Sequence, residues 1–235
     1  MTPLLILLLG VAPKAAIATD LIFAAITKSF GVSIHLRRSA VDWVVVGRLA
    51  LGSLPAAGLT GWWLDQHALN YGSTDALLQQ ALGIVLVFTA IGLIVKPHLY
   101  DWARRQRTQQ ELCFKTWQPK LTVLLGVVLG VTVTLTSVGA GALGAAFMMA
   151  LYPLRLNGSR LVATDMIHAI PLALVASMCY LNTQSIEWTL LGQLLMGSIP
   201  GVLLGSMLIY RLPERFMHWL LATALTASAW KLLFR

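Results

Sequence analysis

The chain has 235 residues, 57% of them hydrophobic and 11% charged, with a formal net charge of +8 and a mean hydropathy of +0.76. Nine acidic residues are too few to solvate a water-facing surface of this size, whereas a lipid-facing surface needs none, so an ordinary soluble domain is excluded. The Lys and Arg residues fall mostly between apolar runs, where the positive-inside rule puts them, so the charge reads as insertion topology and not as a nucleic-acid footprint.

Residues 1–11 are apolar but too short to span a bilayer. No basic stretch precedes them and no small-residue cleavage site follows, so they read as half a helix and not as a signal peptide. Apolar runs follow at residues 15–34, 41–64 and 76–95. Residues 96–120 then read as a basic polar loop carrying Lys96, Arg104, Arg105, Arg107, Lys115 and Lys120, the strongest cytoplasmic marker in the chain. Further apolar runs occupy residues 121–151, 161–181, 188–210 and 216–234. The expectation is an all-α, polytopic membrane protein with about seven transmembrane helices plus the opening half-helix.

The two halves repeat at an offset of 145 residues. Ala18-Thr19-Asp20 recurs as Ala163-Thr164-Asp165, Asp42-Trp43 as Glu187-Trp188, and Gly52-Ser53-Leu54-Pro55 as Gly197-Ser198-Ile199-Pro200. Residues 18–64 match their counterparts identically at about 28% of positions, including Gly, Pro and Asp that shared hydrophobicity does not supply. Duplication follows as an expectation: residues 1–95 form a first repeat that is incomplete at its N-terminus, and residues 121–235 a second. Such repeats are a common plan for secondary transporters, which bind substrate at the repeat interface.

The run 121–151 is too long for one simple pass, and Thr136-Ser137-Val138-Gly139-Ala140-Gly141-Ala142-Leu143-Gly144 supplies the interruption. Gly139, Gly141 and Gly144 let the backbone leave helical geometry, and the hydroxyls of Thr136 and Ser137 offer hydrogen bonds to the groups a break frees. Broken backbone at bilayer depth survives only inside protein or beside a wet cavity. If a helix restarts near Gly141 to Ala145, its N–H groups and positive dipole end favour an anion. The plainer reading is a small-xxx-small ridge of Gly141 and Ala145 for helix packing. The chain either crosses once through this run or turns back at the break. Turning back would put Arg155 and Arg160 on the side of the 96–120 segment and invert the repeats; charge favours that arrangement, whereas a count of four spans per repeat favours the single crossing.

Asp20 and Asp165 are repeat-equivalent acids, read either as caps near helix starts or as functional ionisable groups at membrane depth. His168 follows Asp165 by three residues, on the same helical face, where proton exchange competes with a structural role. Lys28 lies deep in its apolar run and either meets an anion or snorkels to the surface. Pro55 and Pro200 are expected to kink their spans, and Trp43, Trp62, Trp63, Trp188 and Trp219 to anchor them at the interface. The sequence carries no Walker loop, HExxH, GxSxG or clustered Cys/His pattern, so no enzyme, metal or cofactor is expected, and Cys113 and Cys179 read as free thiols.

The Thr136 to Gly144 segment, Leu151-Tyr152-Pro153, the run from Ala163-Thr164-Asp165 through His168 to Pro171-Leu172, Met1-Thr2-Pro3-Leu4, and Thr19-Asp20 with Ala25-Ile26-Thr27-Lys28 together resemble the sulfite exporter TauE/SafE family over essentially the whole chain. The resemblance implies a multi-pass permease of the bacterial inner membrane, built from duplicated four-helix halves and exporting sulfite or organosulfonates. The family's first helix and first glycine-rich segment, of the form Gly-Val-Gly-Gly-Gly, have no counterpart here, which agrees with the gap in the first repeat. The expected substrate-contacting residues are Thr136, Ser137, Gly139, Gly141, Gly144, Asp165, His168, Asp20 and Lys28. The expected partners are a small anion and membrane lipid, with no nucleic acid and with a homo-oligomer left open. The rival readings are a truncated membrane protein that does not transport and an intramembrane enzyme.

Overall fold

A computed structural model describes residues 1–35, 41–71, 74–109, 111–139, 141–152, 155–156, 158–181 and 186–208, together with residue 223. The described residues form eight helices and no strands: α1 (Thr2–Leu9), α2 (Pro13–His35), α3 (Trp43–Tyr71), α4 (Asp75–Gln109), α5 (Glu111–Thr136), α6 (Ala142–Leu151), α7 (Gly158–Leu181) and α8 (Trp188–Leu208). The chain is thus a polytopic α-helical membrane protein. Among the described residues five segments are long and apolar enough to cross a bilayer: Pro13–Val32, Trp43–Ala68, Asp75–Gly92, Trp117–Thr136 and Arg160–Leu181. The expected span at residues 216–234 lies outside the described residues, Thr223 excepted.

Residues 96–109 and 111–120 are helical and not the loop expected from their charge. Ala103, Arg104, Arg105, Gln106 and Arg107 are good helix formers, and α4 at 35 residues is about 52 Å long, well beyond a hydrocarbon core of about 30 Å. Its basic end therefore continues as helix beyond the lipid.

The directions of the helices follow from who touches whom. Gly31 on α2 lies against Met166 near the start of α7, whereas Lys14 at the start of α2 shares a small cavity with Cys179 and Tyr180 at the end of α7. α2 and α7, equivalent at the 145-residue offset, therefore run antiparallel. α3 and α5 run parallel and in very close contact. A methyl group at Gly52 would fall 2.1 Å from the Val123 carbonyl oxygen, one at Gly126 2.3 Å from that of Leu49, and one at Gly130 2.4 Å from that of Ser53. Gly126 and Gly130 are spaced as in the small-residue motif that lets backbones meet in membranes, where lipid offers no hydrophobic gain to helix pairing.

α6 turns back. Its end meets the beginning of the α5 span, where Gln118 Nε2 donates to the Leu151 carbonyl at 2.7 Å and the Tyr152 and Thr122 hydroxyls are 2.8 Å apart. The stretch 121–151 is therefore one crossing and a half-length return, which places Arg155 and Arg160 on the face of the basic end of α4. Trp43 and Trp117 at one end, with Trp62, Trp63 and Trp188 at the other, are exposed at span ends, as interfacial anchors should be. The core is aliphatic and divided: one cluster binds α2 to α7 around Leu21, Ala173 and Tyr180, and another holds Met148 and Tyr152 of the returning strand of chain against Leu49 and Leu129.

Candidate functional site

The site is built where α5 stops. Thr136 Oγ1 donates to the Thr132 carbonyl at 2.6 Å, and at 3.2 Å contacts both the N–H and the carbonyl of Val138. That hydroxyl, fully buried, thus stabilises the break itself and satisfies backbone groups that leaving the helix would orphan. Ser137 then takes a left-handed backbone with φ 57°, and Gly139 takes φ 118°, a conformation open to glycine and costly to other residues. The chain re-enters helix at Ala142 with Gly141 as its cap.

Two first-turn donors of α6 close inward, Gly144 N–H onto the Gly139 carbonyl and Ala145 N–H onto that of Gly141, each at 3.0 Å. The anion-directed amides expected across residues 139–144 are thereby reduced to those nearest the tip. Gly141 faces open space, with nothing within 4 Å of where a Cβ would stand. The small-residue ridge proposed for Gly141 and Ala145 is not formed by Gly141. The contact-making glycine is Gly144: a Cβ there would lie 2.9 Å from Asp165 Oδ1.

Asp165 and His168 lie on α7, 6% and 0% exposed. His168 Nε2 is 2.8 Å from the Ser53 hydroxyl on α3, a partner with no signal in the sequence because 115 residues separate the two. Ser137 Oγ, Asp165 Oδ1 and His168 Nδ1 are buried with no hydrogen-bond partner among the described residues. Buried polar atoms are nearly always paired, so these orphans, one in the break and two on α7, are groups left open for another partner. Lys28 on α2, half-buried, is near enough for its charge to act on both Asp165 and His168. The structure therefore brings Gly144, Asp165, His168 and Lys28 into one neighbourhood, and Ser137 lies in the break that leads into α6.

Asp20 belongs elsewhere. Its carboxylate accepts from Thr2 N–H at 2.9 Å and from the Thr2 hydroxyl at 2.6 Å, so it serves the start of α1. Neither Asp20 nor Asp165 sits in the first turn of its own helix; each addresses the start of a neighbouring half-helix. The threonines beside them do likewise across the repeats: Asp42 N–H donates to Thr164 Oγ1 at 3.2 Å, and Glu187 N–H to Thr19 Oγ1 at 3.1 Å. These two bonds are related by the 145-residue offset. Among the described residues no group of His, Cys, Asp and Glu is arranged to hold a metal ion, and Cys179 is a free thiol.

A broken helix that turns back within a helical bundle, beside buried ionisable groups, is an arrangement that secondary transporters use. The family model described as Sulfite exporter TauE/SafE matches residues 1–232, and the chain belongs to that family. It is 38% identical over 233 residues to the "Probable membrane transporter protein YjnA" of Bacillus subtilis (strain 168), an alignment covering 99% of this chain and 90% of that protein. No solved structure matches.

Proposed function

We propose that this transporter exports small sulfur-containing anions, sulfite or an organosulfonate, across the bacterial inner membrane by alternating access. The observation that carries the reading is the set of orphaned polar atoms of Ser137, Asp165 and His168 beside the start of α6. Family membership supports the choice of anion. In this reading the helix terminus, Lys28 and the Ser137 hydroxyl attract the anion. Asp165 and His168 are the proton-coupling pair: a proton on Asp165 removes its negative charge and lets the anion in, and its departure repels the anion.

The test is sulfite efflux from loaded proteoliposomes, with and without a pH gradient, comparing the chain with Gly141→Leu. Because Gly141 has an ordinary backbone and open space around it, the variant should fold and insert yet lose sulfite-dependent flux. Unchanged flux in the folded variant removes the α6 terminus from the mechanism. No flux from the parent chain removes sulfite as the cargo.

A further inference from the structure

At the face where the basic end of α4 emerges, the two halves of the chain are joined by charge. Asp42, one residue before α3, is 2% exposed. Arg155 grips it with two donors, Nε on Oδ2 and Nη2 on Oδ1, the latter at 2.9 Å, and Arg160 Nη2 stands 3.5 Å from Oδ2. Asp42 comes from the first half, and the arginines from the second, Arg155 from the segment joining α6 to α7 and Arg160 from the first turn of α7. The arginine side chains are 44% and 36% exposed against 1% for the carboxylate. A buried carboxylate stripped of its partners is strongly unfavourable until water reaches it, so the halves part here only if this face hydrates.

The opposite face has the same framework, without an ion pair at the equivalent position among the described residues. Glu187 N–H meets Thr19 Oγ1 there as Asp42 N–H meets Thr164 Oγ1, but Glu187 is exposed and the counterparts of Arg155 and Arg160 at the offset are Gly10 and Ala15. On that face a small cavity opens between Lys14, Leu64, Thr74 and Tyr180. At its floor the Tyr180 hydroxyl donates to the Thr134 carbonyl at 2.7 Å, two residues before Thr136 and the break.

We propose that Asp42, Arg155 and Arg160 form an ion-pair latch that holds the basic face shut while the opposite face opens toward the break, and that this latch, with no equivalent at the other end among the described residues, biases the transporter toward that access state. The inference rests on the alternating-access reading, but its test does not require the cargo to be known. Ser137→Cys, in a chain carrying Cys113→Ser and Cys179→Ser, is labelled with a membrane-impermeant thiol reagent in right-side-out and inside-out vesicles. Asp42→Asn keeps a side-chain oxygen for the start of α3, where Val45 N–H approaches at 3.3 Å, and removes only the charge; Arg155→Gln/Arg160→Gln attacks the other partner. Both variants should speed labelling from the basic face by about five-fold and slow it from the other. Unchanged labelling at both faces, or an equal rise at both as general loosening would give, overturns the latch. A reciprocal shift, when the parent chain with Ser137 intact moves no sulfite, upholds the latch and sinks the cargo assignment instead.

Discussion

Gly141 caps α6 and Gly144 stands three residues on within it, and the same substitution should cost stability at Gly144 and little at Gly141. A methyl group at Gly141 meets nothing within 4 Å, whereas one at Gly144 falls 2.9 Å from Asp165 Oδ1 and 3.5 Å from Leu129 Cδ1. Ordinary contact begins near 3.4 Å, so Gly144→Ala needs about 0.5 Å of relief, taken from α6 or from the Asp165 rotamer. Overpacking of this kind costs about 1–3 kcal/mol, and the helical advantage of Ala over Gly returns about 0.5–1 kcal/mol of it. The net for Gly144→Ala is a loss of about 1 kcal/mol, which in a chain of this size lowers the thermal midpoint by about 2–4 °C. Gly141→Ala should stay within about 0.5 kcal/mol of the parent, because the cap position gains little from a side chain. The assay is thermal unfolding of the detergent-purified protein, repeated in an Asp165→Ala background, where removal of the opposing oxygen should erase most of the Gly144→Ala penalty. A penalty that persists there undiminished, or that is equal at the two glycines, would refute the placement of Asp165 against α6.

Gly130→Val should prevent stable accumulation in the membrane, because its first side-chain atom falls 2.4 Å from the Ser53 carbonyl oxygen and 2.9 Å from Ala56 Cβ and neither can retreat without parting α3 from α5. Gly58→Val, on α3, meets nothing within 4 Å among the described residues and should express as the parent does, which a membrane-fraction immunoblot of the pair decides. Ser53→Ala leaves His168 Nε2 buried without the hydroxyl now 2.8 Å away, at a cost of about 1–3 kcal/mol; thermal unfolding that matches the parent would show that this bond contributes nothing.

Five of the expected spans, the opening half-helix and the break were legible because each is a local property: the length of an apolar run, or glycine where it is interrupted. The direction taken after the break was not local. Charge on Arg155 and Arg160 pointed toward a return, and the contacts of Leu151 and Tyr152 with Gln118 and Thr122 decide it. Charge misled at residues 96–120, where polarity says only that a segment leaves the lipid and helix propensity decides what it does next. The pairing of Ser53 with His168, the Asp42 clasp and the α3–α5 backbone contact all join residues more than 70 positions apart. For the last of these the Gly126 and Gly130 spacing was available in the sequence as a motif, but not the helix it would meet.

The two halves share a framework and differ in how they use it. Thr19 and Thr164 each lend a hydroxyl to the helix start that follows in the opposite half, so α2 and α7 are fixed against those starts by equivalent bonds at both faces. Asp20 and Asp165 each stand by the start of a half-helix. There the equivalence fails: the Asp20 carboxylate is occupied by the Thr2 amide and hydroxyl, while Asp165 Oδ1 faces Gly144, which has no side chain to offer it. A permanently satisfied carboxylate has little reason to change partner, whereas a buried and unsatisfied one lowers its free energy by taking up a proton or a ligand. The second half is therefore the one expected to change state, with α7 carrying Asp165 and His168 past the tip of α6, and the first half the one against which it moves.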